Sequence, residues 1–260
     1  MVGDIMKIAY AGFDLMAPAF AALCENNTLC KLFTCPVDGV SETNDRVISL
    51  AEAAGTPHTL SRITREDIDA LVSGGCELLI SAGYYYRIPI DPRLRMVNIH
   101  PSLLPYGRGA WPMPLAILDR LPQSGVTVHK TEESFDTGDI LLQERFPLAA
   151  DEDLDSFMEK VNALLPAMMR RLTAEFDALW ENAAAQGEGV YLDEPDLDDY
   201  TLTPDCTAEY ADRVLRAFYG FPICYERGGQ RTVILRGCAL TGEREGQSYP
   251  LSDGYIRILV

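Results

Sequence analysis

Nowhere in the 260 residues do about 18 consecutive apolar residues occur, the length that a membrane-spanning helix needs. The stretch MVGDIMKIAYAGFDL at the N-terminus also lacks an apolar run long enough for a signal-peptide core. A cytoplasmic protein without a membrane partner is the expectation. Cations are scarce too: 22 Lys and Arg stand against 39 Asp and Glu, a formal charge of −17. Nucleic-acid binding draws most of its affinity from Lys and Arg neutralising phosphates, so this balance argues against a nucleic-acid partner. Residues 201–260 hold seven Arg, seven acids and no Lys, which places the imbalance wholly in the first 200 residues. The seven cysteines are odd in number and contain no C-x-x-C pair. That excludes the common disulfide frames and zinc patterns, and Cys224 and Cys238, inside apolar runs, read as buried thiols. Internal repeats and low-complexity tracts are missing as well.

What is present is ordinary globular material, 47% hydrophobic and 23% charged, enough for one α/β domain and a small annex. Residues 6–11 (MKIAYA) form a short apolar run ended by Gly12, and Met16, Phe20 and Leu23 follow at helical spacing. Met6 directly precedes this strand and is a second candidate start. Strands are expected at Leu29–Cys35, Glu77–Ala82, Met96–Ile99, Val126–His129 and Ile140–Phe146. Helices are expected at Asn44–Ala54, capped near Thr43 or Asn44, and at Arg65–Val72. Strands alternating with helices favour a parallel sheet, and the continuously apolar ELLISA fits a central strand covered on both faces. Pro101, Pro105, Gly107, Gly109, Pro112 and Pro114 predict a rigid loop with no regular element. Residues 151–182 are helical in pattern, with Pro166 expected to open a second helix at its first turn. Residues 186–204 contain Gly, Pro and a run of acids and read as a solvated linker. They divide a domain at 1–185 from a small β-rich domain at 205–260.

Asn98 and His100 lie one residue apart at the end of an apolar strand, so their side chains point the same way. Open α/β sheets place ligands outside the carboxyl ends of their strands, where both residues sit. Asp136, in the loop between two later strands, can reach the same crevice. His129 lies in strand register and reads as structural, and His58, near a turn proline, carries no assignment. The residues alone give a site without a reaction.

The run Asn98-Ile-His-Pro-Ser-Leu-Leu-Pro105, followed at Asp136 by Asp-Thr-Gly-Asp139, resembles the signature of the folate-dependent formyltransferases. The opening Ala9-Tyr-Ala-Gly12 and the segment Ser81-Ala-Gly-Tyr-Tyr-Tyr-Arg87 fit the same family. The resemblance covers residues 6–185 and implies a Rossmann-like, mostly parallel formyltransferase domain. Arg213–Phe218 and Val233–Arg236 are similar to a shortened version of the OB-like barrel that follows it in some branches. It implies 10-formyltetrahydrofolate as co-substrate, with no metal. An amine attacks the formyl carbon, and Asn98 and His100 stabilise the oxyanion that forms. Donors fixed in advance where charge develops contribute roughly 3 to 4 kcal/mol each. Asp136 is implied to orient and charge His100, since a neighbouring carboxylate raises a histidine pKa, and to help remove the amine proton. For the folate, the resemblance implies main-chain groups of Tyr86 and Ile88 and of the loop from Glu133 through Asp136 to Asp139. Ser102 to Pro105, with Leu104, would shape the floor of the cleft.

The acceptor is read from departures within the family. Where the tRNA-directed branch carries a basic insertion, this chain has the short, acidic Pro36–Asp45. Glycinamide ribonucleotide enzymes stop after the catalytic domain, and this chain continues. The Tyr85–Arg87 run and the tail are similar to the branch that formylates amino sugars carried on nucleotide diphosphates, so a small-molecule amine of that kind is the expected partner. A methionyl-tRNA formyltransferase, a formyltransferase for another small amine and a formyltetrahydrofolate deformylase, a hydrolase, stay open as alternatives. Phe13, Asp14, Arg108 and Trp111 are candidate acceptor contacts by loop position, and the apolar C-terminal strands could pair two copies into a homodimer.

Overall fold

The computed structural model describes residues 5–37, 43–242 and 248–259. Residues 38–42, half of the acidic stretch at Pro36–Asp45, lie outside them. Seven strands form the main sheet: β1 (Lys7–Gly12), β2 (Thr28–Phe33), β3 (His58–Thr59), β4 (Leu78–Ala82), β5 (Arg95–His100), β6 (Gln123–Lys130) and β7 (Ile140–Pro147). Their order is β3-β2-β1-β4-β5-β6-β7. The first five run parallel, and β6 lies antiparallel to β5. This is the mostly parallel, Rossmann-like sheet that the alternating pattern predicts.

Helices cover both faces. Alternate strand residues point to opposite sides. The Tyr10 ring of β1 meets Phe20 of α1 (Ala17–Asn26) at 5.1 Å on one side. Ala9 and Ala11, on the other, share a core with Phe33, Leu79, Met96 and with Ile68 and Leu71 of α3 (Arg65–Ser73). Every residue of β4 is buried, which explains its unbroken apolar sequence. Gly12 is required where β1 ends: a Cβ there would lie 2.5 Å from the Ala82 carbonyl oxygen.

The helix starts follow local chemistry in one case and not in the other. Thr64 caps α3 through a capping box with Asp67. The helix α2 (Asp45–Ala53) takes its cap from far away: Asp14 accepts from the main-chain N–H groups of Val47 at 2.8 Å and Arg46 at 3.1 Å. Asn44 instead donates to the Cys35 carbonyl at 2.8 Å.

Three expectations are corrected. Pro112 does not sit in irregular chain: it opens α4 (Pro112–Leu118), where a first-turn proline removes no needed hydrogen bond. Pro166 opens nothing, because it lies inside the single helix α5 (Leu154–Ala174), and the break falls before α6 (Phe176–Glu181). The buried stripe Val161, Leu165, Met168, Met169 and Leu172 holds α5 together, since tertiary packing of an amphipathic face outweighs local propensity. Cys224 and Cys238 are only partly buried, and none of the seven cysteines forms a disulfide.

The chain divides into two compact units. One comprises Met1–Arg108, Gly125–Arg145 and Glu159–Val190; the other comprises Gly109–Ser124, Phe146–Met158 and Tyr191–Val260. In the second unit, α7 (Ala208–Ala217) buries Ala211, Val214 and Leu215, and Thr207 caps its start. Its strands form an antiparallel pair, β8 (Ile223–Arg227) with β9 (Gln230–Ile234), and a three-stranded sheet. In that sheet β12 (Gly254–Ile258) lies between β10 (Gly237–Thr241) and β11 (Tyr249–Pro250). Trp111 packs on Phe221 with ring centroids 4.6 Å apart.

Candidate active site

The end of β5 carries Asn98 and His100. The antiparallel register sets Asn98 opposite His129 and His100 opposite Thr127. Asp136 enters from the loop between β6 and β7 in a left-handed backbone conformation, φ 57°. The structure thus brings the three sequence-predicted residues together and adds a fourth. His100 Nδ1 lies 3.6 Å from Asp136 Oδ1, and Asn98 Nδ2 donates toward the same oxygen at 3.3 Å. His129 Nε2 lies 3.4 Å from that oxygen and 3.3 Å from Asn98 Nδ2. His129, read from the sequence as structural, thus stands against the same carboxylate. Its parity with Asn98 follows from the antiparallel pairing of β5 with β6, a long-range contact that strand periodicity does not encode.

Hydrogen bonding fixes the proton positions. His129 Nδ1 lies 2.7 Å from the Lys130 carbonyl, so that nitrogen carries the proton and Nε2 accepts from Asn98. His100 Nε2 lies 2.7 Å from the Gly107 carbonyl, so its proton is on Nε2 and the Nδ1 lone pair faces Asp136. The side chains of His100, His129 and Asp136 are 6%, 2% and 10% exposed, which makes each of these contacts a low-dielectric one. Burial lowers the His100 pKa below its ordinary 6.5, and it outweighs the upward pull of Asp136 and of the Gly107 carbonyl, while His129 pushes it down further. The expectation that Asp136 charges His100 is corrected on this ground: the resting imidazole is neutral.

The Pro-rich loop after β5 is held by polar atoms of β6 and β7 as well as by its own. Thr127 donates to the Ser102 carbonyl at 2.7 Å, Leu104 N–H donates to Thr127 Oγ1 at 3.2 Å, and Gln143 donates to the Leu104 carbonyl at 2.9 Å. The Ser102 hydroxyl donates to the Tyr106 carbonyl at 3.0 Å, and the Leu104 side chain is buried. Among the other expected folate positions, Ile88 packs into the core, and Tyr86 stacks edge-on with Tyr84 beneath the Arg62 guanidinium. Glu133 pairs with Arg87, and Asp139 with Lys130 at 3.0 Å. Of the candidate acceptor contacts, Asp14 is the α2 cap, Phe13 is buried with its ring 5.1 Å from Tyr85, and Arg108 binds Gln186. Trp111 packs within the second unit. Among the described residues no cluster of three or more His, Cys, Asp or Glu could hold a metal, and no helix is long and apolar enough to cross a membrane.

Comparison with known proteins agrees with this architecture. The family model described as formyl transferase matches residues 35–173, just over half of the chain, and the chain belongs to that family. A methionyl-tRNA formyltransferase of Ehrlichia ruminantium (strain Gardel) is 32% identical over 200 residues, covering 74% of this chain; the chain spans 65% of that relative's length. A sugar N-formyltransferase from Shewanella sp. FDAARGOS_354 shares the fold with a TM-score of 0.65 at 22% identity, over 93% of this chain and 99% of that one. A sugar 3-N-formyltransferase determined with dTDP and 5-N-formyltetrahydrofolate superposes with a TM-score of 0.67 at 16% identity, over 98% of this chain and 97% of that one.

Proposed function

We propose that this chain moves the formyl group of 10-formyltetrahydrofolate to a primary amine carried on a nucleotide-linked sugar. One observation carries the reading: Asn98 Nδ2 and His100 Nδ1 converge on one Asp136 oxygen, at 3.3 and 3.6 Å, at the carboxyl end of β5, in a chain of the formyl transferase family. The amine nitrogen attacks the formyl carbon, and the carbonyl electrons move to oxygen. Asn98 Nδ2 faces that developing charge, which a preorganised donor stabilises more than water does, and His100, neutral at rest with its Nε2–H held by the Gly107 carbonyl, becomes a second donor once its Nδ1 takes up a proton. Asp136, directly or through a water, takes the proton that the attacking amine loses. The C–N10 bond then breaks, N10 receives a proton, and the products are the formamide and tetrahydrofolate. Main-chain groups at Tyr86, Ile88 and Glu133–Asp139 hold the pterin, and Ser102 and Leu104 build the floor beside it.

The sugar acceptor is supported by the formal charge of −17 and by the dTDP-bound relative, whose fold this chain shares. The 32% identity with a methionyl-tRNA formyltransferase favours a second reading, transfer to charged initiator tRNA, and the acidic charge weighs against it.

Alanine at Asn98, His100 or Asp136 tests the site. Each variant should lose about 100- to 1000-fold in turnover of 10-formyltetrahydrofolate, the usual scale for removing an oxyanion donor or a proton-transfer group, while still binding 5-formyltetrahydrofolate. Near-normal turnover in any of the three contradicts the assignment.

A further inference from the structure

Gln186 falls in a stretch whose composition reads as a solvated linker, yet it is built into the neighbourhood of Asp136. An antiparallel bridge joins Ile140 to Ala184 through two main-chain hydrogen bonds of 2.8 Å. Continuing that register sets Gln186 beside Gly138. The Gln186 side chain donates from Nε2 to the Asp136 carbonyl at 3.0 Å and to the Gly138 carbonyl at 2.6 Å. Its Oε1 accepts from Arg108 Nε at 3.1 Å and Nη2 at 2.9 Å, and the same Nη2 reaches the Gly187 carbonyl at 3.0 Å. The loop has no slack on its other side: a Cβ on Gly138 would lie 2.0 Å from the Lys130 carbonyl oxygen.

From these contacts we infer that Gln186, gripped by Arg108, is a positioning residue that holds the Asp136 carboxylate against His100 and Asn98. The inference rests on the catalytic reading of Asp136 given above. The side chain at 186 must donate two hydrogen bonds to carbonyls and accept two from a guanidinium. Only a carboxamide does both. A glutamate satisfies Arg108 and has no N–H for the loop; a lysine donates to the loop and repels Arg108. The two-sided demand also fixes which end of the amide is nitrogen. The Asp136 backbone lies in the left-handed region, φ 57°, which aspartate tolerates better than most residues but which is uncommon for any residue with a Cβ, so the two carbonyl contacts from Gln186 help to hold it there.

The test compares Gln186→Met, Gln186→Glu and Arg108→Lys with the wild-type chain, by crystal structure and by kinetics with 10-formyltetrahydrofolate and a dTDP-linked 3-amino sugar. In the Met and Glu variants the Asp136 carboxylate should shift from His100 by about 1 Å, the scale of misplacement that costs on the order of 100-fold in kcat. The KM for 10-formyltetrahydrofolate and the melting temperature should hold. Arg108→Lys should give a smaller loss in the same direction. The Glu variant separates positioning from scaffolding, since a residue that merely anchors Arg108 would be rescued by glutamate. Asp136 staying in place in both variants, or a wild-type kcat for Gln186→Glu, overturns the inference. Asp136→Asn serves as the control. If it is crippled while the Gln186 variants are normal, only this inference falls; if it is itself near normal, the catalytic reading of Asp136 falls and this inference with it.

Discussion

At His100, two forces act on one proton. Burial favours the neutral ring, and Asp136 favours the charged one; burial wins, and the pKa lies below 6.5. An unfolded chain therefore takes up this proton before the folded one does as the solution is acidified. The stabilisation from keeping His100 neutral is complete above pH 6.5 and is lost as pH falls through the lowered folded-state value. His100→Asn removes that titration. Urea unfolding at pH 7.5 and 5.5 should show the wild-type chain losing more stability than the variant, and equal losses contradict the burial argument. Asn98, His100 and Asp136 were legible in the sequence because two family motifs contain them. His129 and Gln186 were not. One depends on which strand neighbours β5 and in what direction, and the other on a bridge between residues 44 positions apart.

Among the elements, the strands and helices of the first unit follow hydrophobic period closely, and the misreadings have separate causes. Pro112 and Pro114 look like loop residues until their place in a first helical turn is known, where missing N–H groups cost nothing. Pro166 looks like a helix start until the buried stripe on both sides of it is counted. The cap of α2 is supplied by Asp14, 33 residues before Val47, and no local pattern announces it. Asp14→Ala should destabilise the fold by about 1 to 2 kcal/mol, the usual cost of losing a side-chain cap. Urea titration measures this directly, and KM for the acceptor should stay unchanged. A large rise in KM at unaltered stability would return Asp14 to the acceptor site.

For the molecule as a whole, charge and family point along different branches. The curated relative with 32% identity acts on methionyl-tRNA, whereas solved structures that share the fold across nearly their full length include sugar N-formyltransferases. A formal charge of −17 weighs against a polyanion acceptor, since unscreened like charges repel. A nucleotide-linked amino sugar presents only two phosphates, a far smaller demand. Fold class was legible from the alternation of strands and helices. The acceptor was not, because recognition rests on loop contacts that neither hydrophobic period nor the catalytic motifs contain.

The most direct measurement follows the formyl carbon itself. The chain is supplied with 10-formyltetrahydrofolate isotopically labelled at that carbon, and separate reactions contain dTDP-linked amino sugars, glycinamide ribonucleotide, charged initiator tRNA or no acceptor. Mass spectrometry then locates the label. The account predicts label on the amine nitrogen of an amino sugar and tetrahydrofolate in equal amount. Label appearing as formate at the same rate with no acceptor would contradict it and make the reaction a hydrolysis; label on the tRNA alone would contradict the choice of acceptor.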